Sequence, residues 1–364
     1  MKRLLALSAL SLAVTSLMAC ADDDPVDTAP RDGSGDGEGV TLLYLDDDHG
    51  AACETLATDY APGGASSWEA CDPDDGVYRR FEEQISSIGR IAAYEQIADL
   101  LVRNGAPSTA DFIAARELYA TDEGLDSRVQ RREDEHYPQV TDAAGETLRC
   151  RDEGVPAMDP NRCVGPALIL PILNAAFNAG VQGEDVVVNA ARVDAALLWF
   201  MYVSTHKEAT TCTVAKKDCD SNFAYFAGGG QRAESIGLAA AMERANPAAF
   251  ERAWDGVLAV RCWRDLDDAE EATNLALRDQ AIEQLDRGLL FGLTEMVVDR
   301  LYDWDRSTGA DRAADAAWLD IMLGVLQREV TARGAVAGDI VATMSETVIA
   351  QDEIDALRAL FPCP

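Results

Sequence analysis

The chain has 364 residues, with 31 basic against 64 acidic side chains, a formal charge of −33, three histidines and nine cysteines. A surface of that sign repels nucleic acid and anionic lipid and gathers cations. Three histidines rule out a histidine-rich catalytic centre, and there is no P-loop, no H-E-x-x-H, no G-x-S-x-G elbow and no G-x-G-x-x-G after a strand, so no enzymatic activity is expected.

The first element is an export signal. Lys2 and Arg3 precede a run of apolar and small residues that ends in Leu17-Met18-Ala19-Cys20, which resembles the bacterial lipobox and predicts a signal peptide over 1–19 with diacylglycerol and acyl chains on Cys20. The run is shorter than the roughly 20 residues a span needs, and no later segment reads as long and apolar enough to cross a membrane. Attachment through the lipid alone is expected, with the rest of the chain soluble. Ala21 separates Cys20 from the first aspartate, which favours the outer membrane over inner-membrane retention. Residues 20–40, rich in Asp, Gly and Pro with nothing to bury, predict a disordered acidic tether, and the helical domain is expected over 41–364 with its core at about 77–361. Two imitations of a calcium loop fail. After Asp32, Ser34, Asp36 and Gly37 the twelfth position is Leu43, and beside Asp72, Asp74 and Glu83 the glycine, Gly76, comes one position early.

From about 77 onward the pattern is helical. Val77, Phe81, Ile85, Ile88, Ile97 and Leu101 recur every three or four residues up to Asn104-Gly105, and Ser108 caps a second helix that runs to about Ala120. Residues 121–160 are polar and irregular. Helices then follow at about 166–179, 188–208, 231–244, 247–263, 267–303, 311–333, 336–348 and 351–360, with Asn246-Pro247 as a cap and first-turn proline. No alternating apolar pattern recurs often enough to build a sheet. The expectation is an all-α, multi-helix bundle with disulfides, either one large bundle or two packed sub-bundles.

Beyond Cys20 there are eight cysteines, an even set that reads as up to four disulfides in an oxidising compartment. Proximity along the chain suggests Cys53 with Cys71, Cys150 with Cys163, Cys212 with Cys219, and Cys262 with Cys363. Glu133 and His136 have the i, i+3 spacing of di-iron bundles, but such sites need two pairs. Their charged, proline-closed surroundings read as a solvated face.

The segment 194–227 carries most information. Leu197, Leu198, Met201 and Thr205 form one stripe that continues to Glu208, while His206 falls in line with Tyr202 and Leu198. A short loop closed by Cys212 and Cys219 would bring Asp218 and Asp220 near. Carboxylates beside an imidazole suit a hard or borderline cation such as iron or manganese. On spacing alone the competing reading is a helix end closed by a buried salt bridge to Lys207, Arg232 or another base.

HKEA at 206–209, DCDSNFAYFAGG at 218–229, ESIGLAAAMER at 234–244 and NLALRDQAIEQLDRGLL at 274–290 resemble the algal periplasmic iron-assimilation proteins induced by iron deficiency or high carbon dioxide. That family has a His-Glu helix followed by an acid-aromatic stretch, W-D-E-x-W-A-F-Y-x-G. Asp220, Phe223, Ala224, Tyr225, Phe226 and Gly228 answer its last acid, aromatics, alanine and glycine, and Asn222 and Phe223 depart from its tryptophan-bearing form. Tyr119, Gly124 and Ser127 answer a further A-x-x-x-Y-x-x-G-x-x-S stretch. The resemblance implies a non-enzymatic extracytoplasmic protein that binds iron, with His206, Glu208, Asp220 and Glu234 as ligands, Glu95 and Glu117 as weaker candidates, and a transporter or surface protein as partner. A different class remains open: a metal-free helical scaffold for protein–protein interaction, with an exposed aromatic patch drawn from Trp199, Trp254, Trp263, Trp304 and Trp318 and an acid cluster neutralised by arginines.

Overall fold

The computed structural model describes residues 55–63, 67–121, 124–332 and 351–363. The stretches read as signal peptide and tether, Cys20, Cys53 and the helix expected at 336–348 lie outside the described residues. The fold is all-α: 69% of the described residues are helical, in twelve helices with no strand among them. In chain order these are α1 (Ser86–Ala98), α2 (Thr109–Ala120), α3 (Leu125–Val129), α4 (Val155–Met158), α5 (Leu170–Gln182), α6 (Val186–Thr211), α7 (Lys216–Ala227), α8 (Leu238–Ala245), α9 (Pro247–Leu266), α10 (Leu275–Arg306), α11 (Gly309–Ala332) and α12 (Gln351–Leu360).

Local chemistry sets most boundaries. Ser108 caps α2, its hydroxyl accepting from the Asp111 amide while Asp111 accepts from the Ser108 amide. Asn246 caps α9, its Oδ1 accepting from the Ala248 and Ala249 amides, with Pro247 at the first helical position. Four boundaries differ from the periodicity, and α3 and α4 stand in the stretch read as irregular. Helix α8 begins at Leu238 rather than 231, behind Gly237 at φ 69°. Residues 77–85 are not helical, because the Tyr78 amide and carbonyl are bound by the Gln231 side chain and the Phe81 and Glu82 amides by Asp220. Helix α10 begins at Leu275 rather than 267, since the Asp267 carboxylate takes the Thr273 and Asn274 amides at 2.6 Å each and Asn274 then caps the helix. The stretch read as a loop after Cys212 is helix α7, whose buried side is Cys219, Asp220, Phe223, Tyr225 and Phe226.

One continuous core runs from Tyr60 to Phe361, so the helices form a single large bundle, with a small satellite of Val140, Cys150, Val155 and Cys163. Helix α6 is central. It packs on α5, α7, α10 and α11, and it is buried on nearly all sides from Asn189 to Ala209, as a helix apolar all round must be. By length and composition it passes as a membrane span, with a mean hydropathy of 1.5, contrary to the reading that no later segment would; burial within the bundle accounts for its composition.

Helices α9 and α10 meet at reciprocal glycines. A Cβ on Gly256 would lie 2.5 Å from Leu285 Cα, and one on Gly288 would lie 2.8 Å from Ala253 Cα. Backbone cannot yield as a flexible side chain does, so Gly288→Val is expected to cost about 1–3 kcal/mol or more through overpacking. Chemical denaturation of the variant checks this; an unchanged midpoint would mean that the helices separate freely.

The disulfides correct part of the expected pairing. Cys150–Cys163 and Cys212–Cys219 form as expected. Cys71 pairs with Cys262, 191 residues away and 5.4 Å apart at Cα, not with Cys53, and Cys262 is thereby lost to Cys363. The reason is tertiary: the short turn Asp72–Asp75 lies on α9, where the Asp72 amide donates to Asp265 and Arg261 meets the Asp72 carboxylate. Cys363 is itself disulfide-bonded, to a partner outside the described residues.

Candidate metal centre

The segment Arg132–Tyr137, between α3 and the irregular region, is the structural heart of the site. It is not a solvated face. Arg162, only 2% exposed, reaches into it and binds Glu133 and Glu135 at 2.8 Å each and the carbonyls of Asp134 and Tyr137. Backbone bonds from Asp134 N to Arg162 O and from Gly165 N to Arg132 O close the turn. At Gly165 a Cβ would fall 2.1 Å from the Val129 carbonyl oxygen, so only glycine lets the chain before α5 pass this close. The tie turns Glu133 and Glu135 onto one arginine and leaves Asp134 and His136 directed inward.

There they meet side chains from three helices. His136 Nδ1 lies 2.8 Å from Asp134 Oδ1 and 3.4 Å from Glu329 Oε2 on α11; His136 Nε2 lies 3.1 Å from Asp286 Oδ1 on α10. The His136 ring stacks on that of His206 from α6, with centroids 3.8 Å apart and planes 20° apart, and Tyr202, one turn earlier on α6, is 6.0 Å from it. Asp134 and Glu329 are buried at 1% and 0% exposure. Two overlapping donor sets result, His136–His206–Asp286 and Asp134–His136–Glu329, each with its ligand atoms within 4.8 Å of one another. Donors around one ion at about 2.1 Å are themselves up to about 4.2 Å apart, so small side-chain adjustments close either set on a cation. Imidazole coordinates in its ring plane, so joint coordination by the stacked histidines requires one ring to turn out of the stack.

The electrostatics are those of a closed acid–imidazole cluster. Burial alone would lower the His136 pKa, but Asp286, Asp134 and Glu329 outweigh it and hold the imidazole well above its usual value. Burial would raise the Asp134 carboxyl, yet His136 and Arg328 keep it below the ordinary carboxylate range. Arg328 reaches Asp134 Oδ2 at 2.9 Å from the outer side, and its guanidinium also lies over the Tyr137 and Trp199 rings.

The residues expected to share a metal are not brought together. His206 is in the cluster. Glu208, one face away on α6, binds Arg132 at 2.9 Å with Lys207 at 3.8 Å; burial would raise its carboxyl, and Arg132 and Lys207 draw it down instead. This is the buried salt bridge that spacing offered as the competing reading, with Arg132 as the base. Asp220 accepts from the Phe81 and Glu82 amides and from the Tyr78 hydroxyl; its work is to hold the segment before α1. Glu234 sits exposed on a single turn, Arg232–Glu234. Glu95 is tied to Arg103 and the Gly237 amide, and Glu117 is exposed on α2.

No protein-family model, curated protein or solved structure matches this chain. The centre therefore rests on its own geometry. Three of its members, Asp134, Asp286 and Glu329, were not singled out as ligands from sequence, and His136, weighed there with Glu133, was read as part of a solvated face. One signal was available: Glu329 interrupts the apolar stripe Met322, Val325, Leu326, Val330 of α11, as a buried carboxylate must. That signal is unspecific. Glu295 interrupts the stripe of α10 in the same way and is bound by Arg358 and Asn246.

Proposed function

We propose that this is a lipid-anchored extracytoplasmic protein that binds iron, or another hard or borderline cation, at His136, His206 and Asp286 with Asp134 and Glu329 completing the set, and that it serves iron assimilation. The observation that carries the reading is the convergence of two imidazoles and three carboxylates from four separate parts of the chain, largely out of water. Mixed nitrogen and oxygen donors of this kind suit iron, manganese or zinc rather than soft cations. Three disulfides among the described residues support an oxidising compartment, in accord with the lipobox at Cys20 and an outer-membrane anchor. The anionic surface, −33 over the chain, raises the local cation concentration. The resemblance to algal iron-assimilation proteins supports the same function through His206, while Glu208 and Asp220 are engaged elsewhere. A transporter or surface protein would receive the metal.

The scaffold reading draws on one observation, the bases that meet acids here: Arg328 on Asp134 and Arg132 on Glu208. Its aromatic patch has less support. Trp199, Trp254, Trp263 and Trp318 are buried, and Arg312 covers Trp304.

The two readings part on a titration. Metal analysis of protein purified from its native envelope is expected to find iron, and iron is expected to raise the melting temperature saturably. His206→Gln and Asp286→Asn should abolish that rise; Glu208→Gln and Asp220→Asn should keep it. A rise that survives His206→Gln and Asp286→Asn, or no rise with iron, manganese or zinc, would overturn the metal reading.

A further inference from the structure

In a chain with twice as many acids as bases, four arginines gather in one place. Arg90 on α1, Arg128 on α3, and Arg131 and Arg132 just after it lie close enough to disfavour one another's charge: burial lowers the Arg90 pKa, Tyr225 opposes it, and Arg128 and Arg132 lower it further; Arg131 is lowered first by burial and then by Arg128, Arg90 and Arg132. Like charges are assembled at a cost only where something offsets them.

One of them, Arg128, lines a cavity of about 720 Å³ bounded by the start of α1, by α3 and by α7. Arg90 and Arg132 are held by other partners. Arg90 Nη1 donates to the Ser86 and Ser87 hydroxyls at 3.1 and 3.4 Å. Arg132 binds Glu208 and lies 5.1 Å over the Tyr225 ring. Arg128 lines the cavity directly, and its guanidinium makes no ion pair or hydrogen bond among the described residues; its Nε is buried without a partner. A guanidinium on a cavity wall with no ion pair has Nη donors to offer a ligand's acceptor.

The rest of the lining defines the ligand. The hydroxyls of Ser86, Ser87, Ser221 and Tyr225 can serve a polyhydroxylated molecule; Glu82, Glu83, Glu208 and Asp218 accept from hydroxyls but repel a dianion, and Lys217 is the second base of the lining beside Arg128. One planar carboxylate matches the fork of one guanidinium, and the volume is that of a pocket for a small organic molecule rather than a lone inorganic ion.

We propose that this cavity binds a small polyhydroxylated carboxylate, of the sugar-acid class, with its carboxylate on Arg128 and its hydroxyls on the serine, tyrosine and carboxylate lining. The site uses none of the cluster residues at His136 and does not depend on metal.

Calorimetric titration of the purified, chelator-treated protein with glucuronate and gluconate, against glucose and inorganic phosphate at matched ionic strength, tests it. Saturable binding of a sugar acid is expected, with glucose, which lacks the carboxylate, at least about ten-fold weaker. Arg128→Met should weaken the sugar acid about ten- to a hundred-fold and leave glucose unchanged, and Arg128→Lys, which keeps the charge and loses the fork, should fall between. Equal binding of glucuronate and glucose, phosphate binding in place of the sugar acids, no binding by any of them, or an Arg128→Lys protein that binds as the parent does would overturn the proposal. Because metal is absent throughout, the outcome is independent of the metal centre.

Discussion

Metal-free His136→Ala protein is expected to be less stable than its parent by about 3–5 kcal/mol, and to retain no iron. Asp134 and Glu329, at 1% and 0% exposure, face the imidazole at 2.8 and 3.4 Å, and Asp286 faces its other nitrogen at 3.1 Å. Removing one partner of a buried ionic cluster leaves the others without compensation, and breaking such a cluster costs about that much. Arg328 still reaches Asp134, and Asp286 is partly open to water, which limits the cost at those two carboxylates. Urea denaturation in chelator measures the stability and metal analysis the retention. His206→Gln separates the two effects, since His206 meets His136 by ring stacking: it should lose the iron-dependent stabilisation while costing less in chelator. A His136→Ala protein as stable as its parent would show that the carboxylates relax into water or take up protons at little cost, and the cluster would not be the closed unit described.

Loss of the Cys71–Cys262 bridge is the second large effect. A cross-link removes loop-closure entropy from the unfolded chain in proportion to the logarithm of the loop it closes, and for a loop well over a hundred residues the gain is about 5 kcal/mol. This loop spans 191 residues, and the two bridges inside it, with separations of 13 and 7, shorten it little. Cys71→Ser with Cys262→Ser is therefore expected to cost about 4–5 kcal/mol, against about 2–3 kcal/mol for Cys212→Ser with Cys219→Ser. Non-reducing peptide mapping establishes the pairing, and denaturation of the two double variants establishes the order. If the short bridge proved the more costly to remove, unfolded-state entropy would not be the dominant contribution.

The helical periods were legible where one local rule governed a boundary. Ser108 and Asn246-Pro247 cap where their side chains can reach amides two and three residues on. The same rules failed where a distant residue supplied the partner. Phe81 and Ile85 carry the apolar spacing of a helix, but the amides of Phe81 and Glu82 are taken by Asp220, about 140 residues later, and a backbone amide bound from outside is not available to a helix. Asp220 illustrates the converse: a buried acid beside a cysteine and aromatics reads as a ligand, and only the position of the chain before α1 shows that it caps backbone.

His206 was legible because helix α6 carries its own context: an imidazole in line with Tyr202 on an otherwise apolar helix has to meet something inside. What it meets was not legible. Asp134 and His136 look solvated in a run of charges, and only Arg162, through its grip on Glu133 and Glu135, turns the segment so that alternate side chains point inward. Asp286 and Glu329 each stand alone on long helices.

By itself the sequence determined the helical class and the Cys150–Cys163 and Cys212–Cys219 bridges, because each depends on periodicity or short chain separation. The tertiary structure alone decided the Cys71–Cys262 bridge, the separation of His206 from Glu208, and the membership of the acid–imidazole cluster. These join residues up to 195 positions apart, Asp134 to Glu329, and no local pattern encodes which distant face a side chain will meet once the helices have packed.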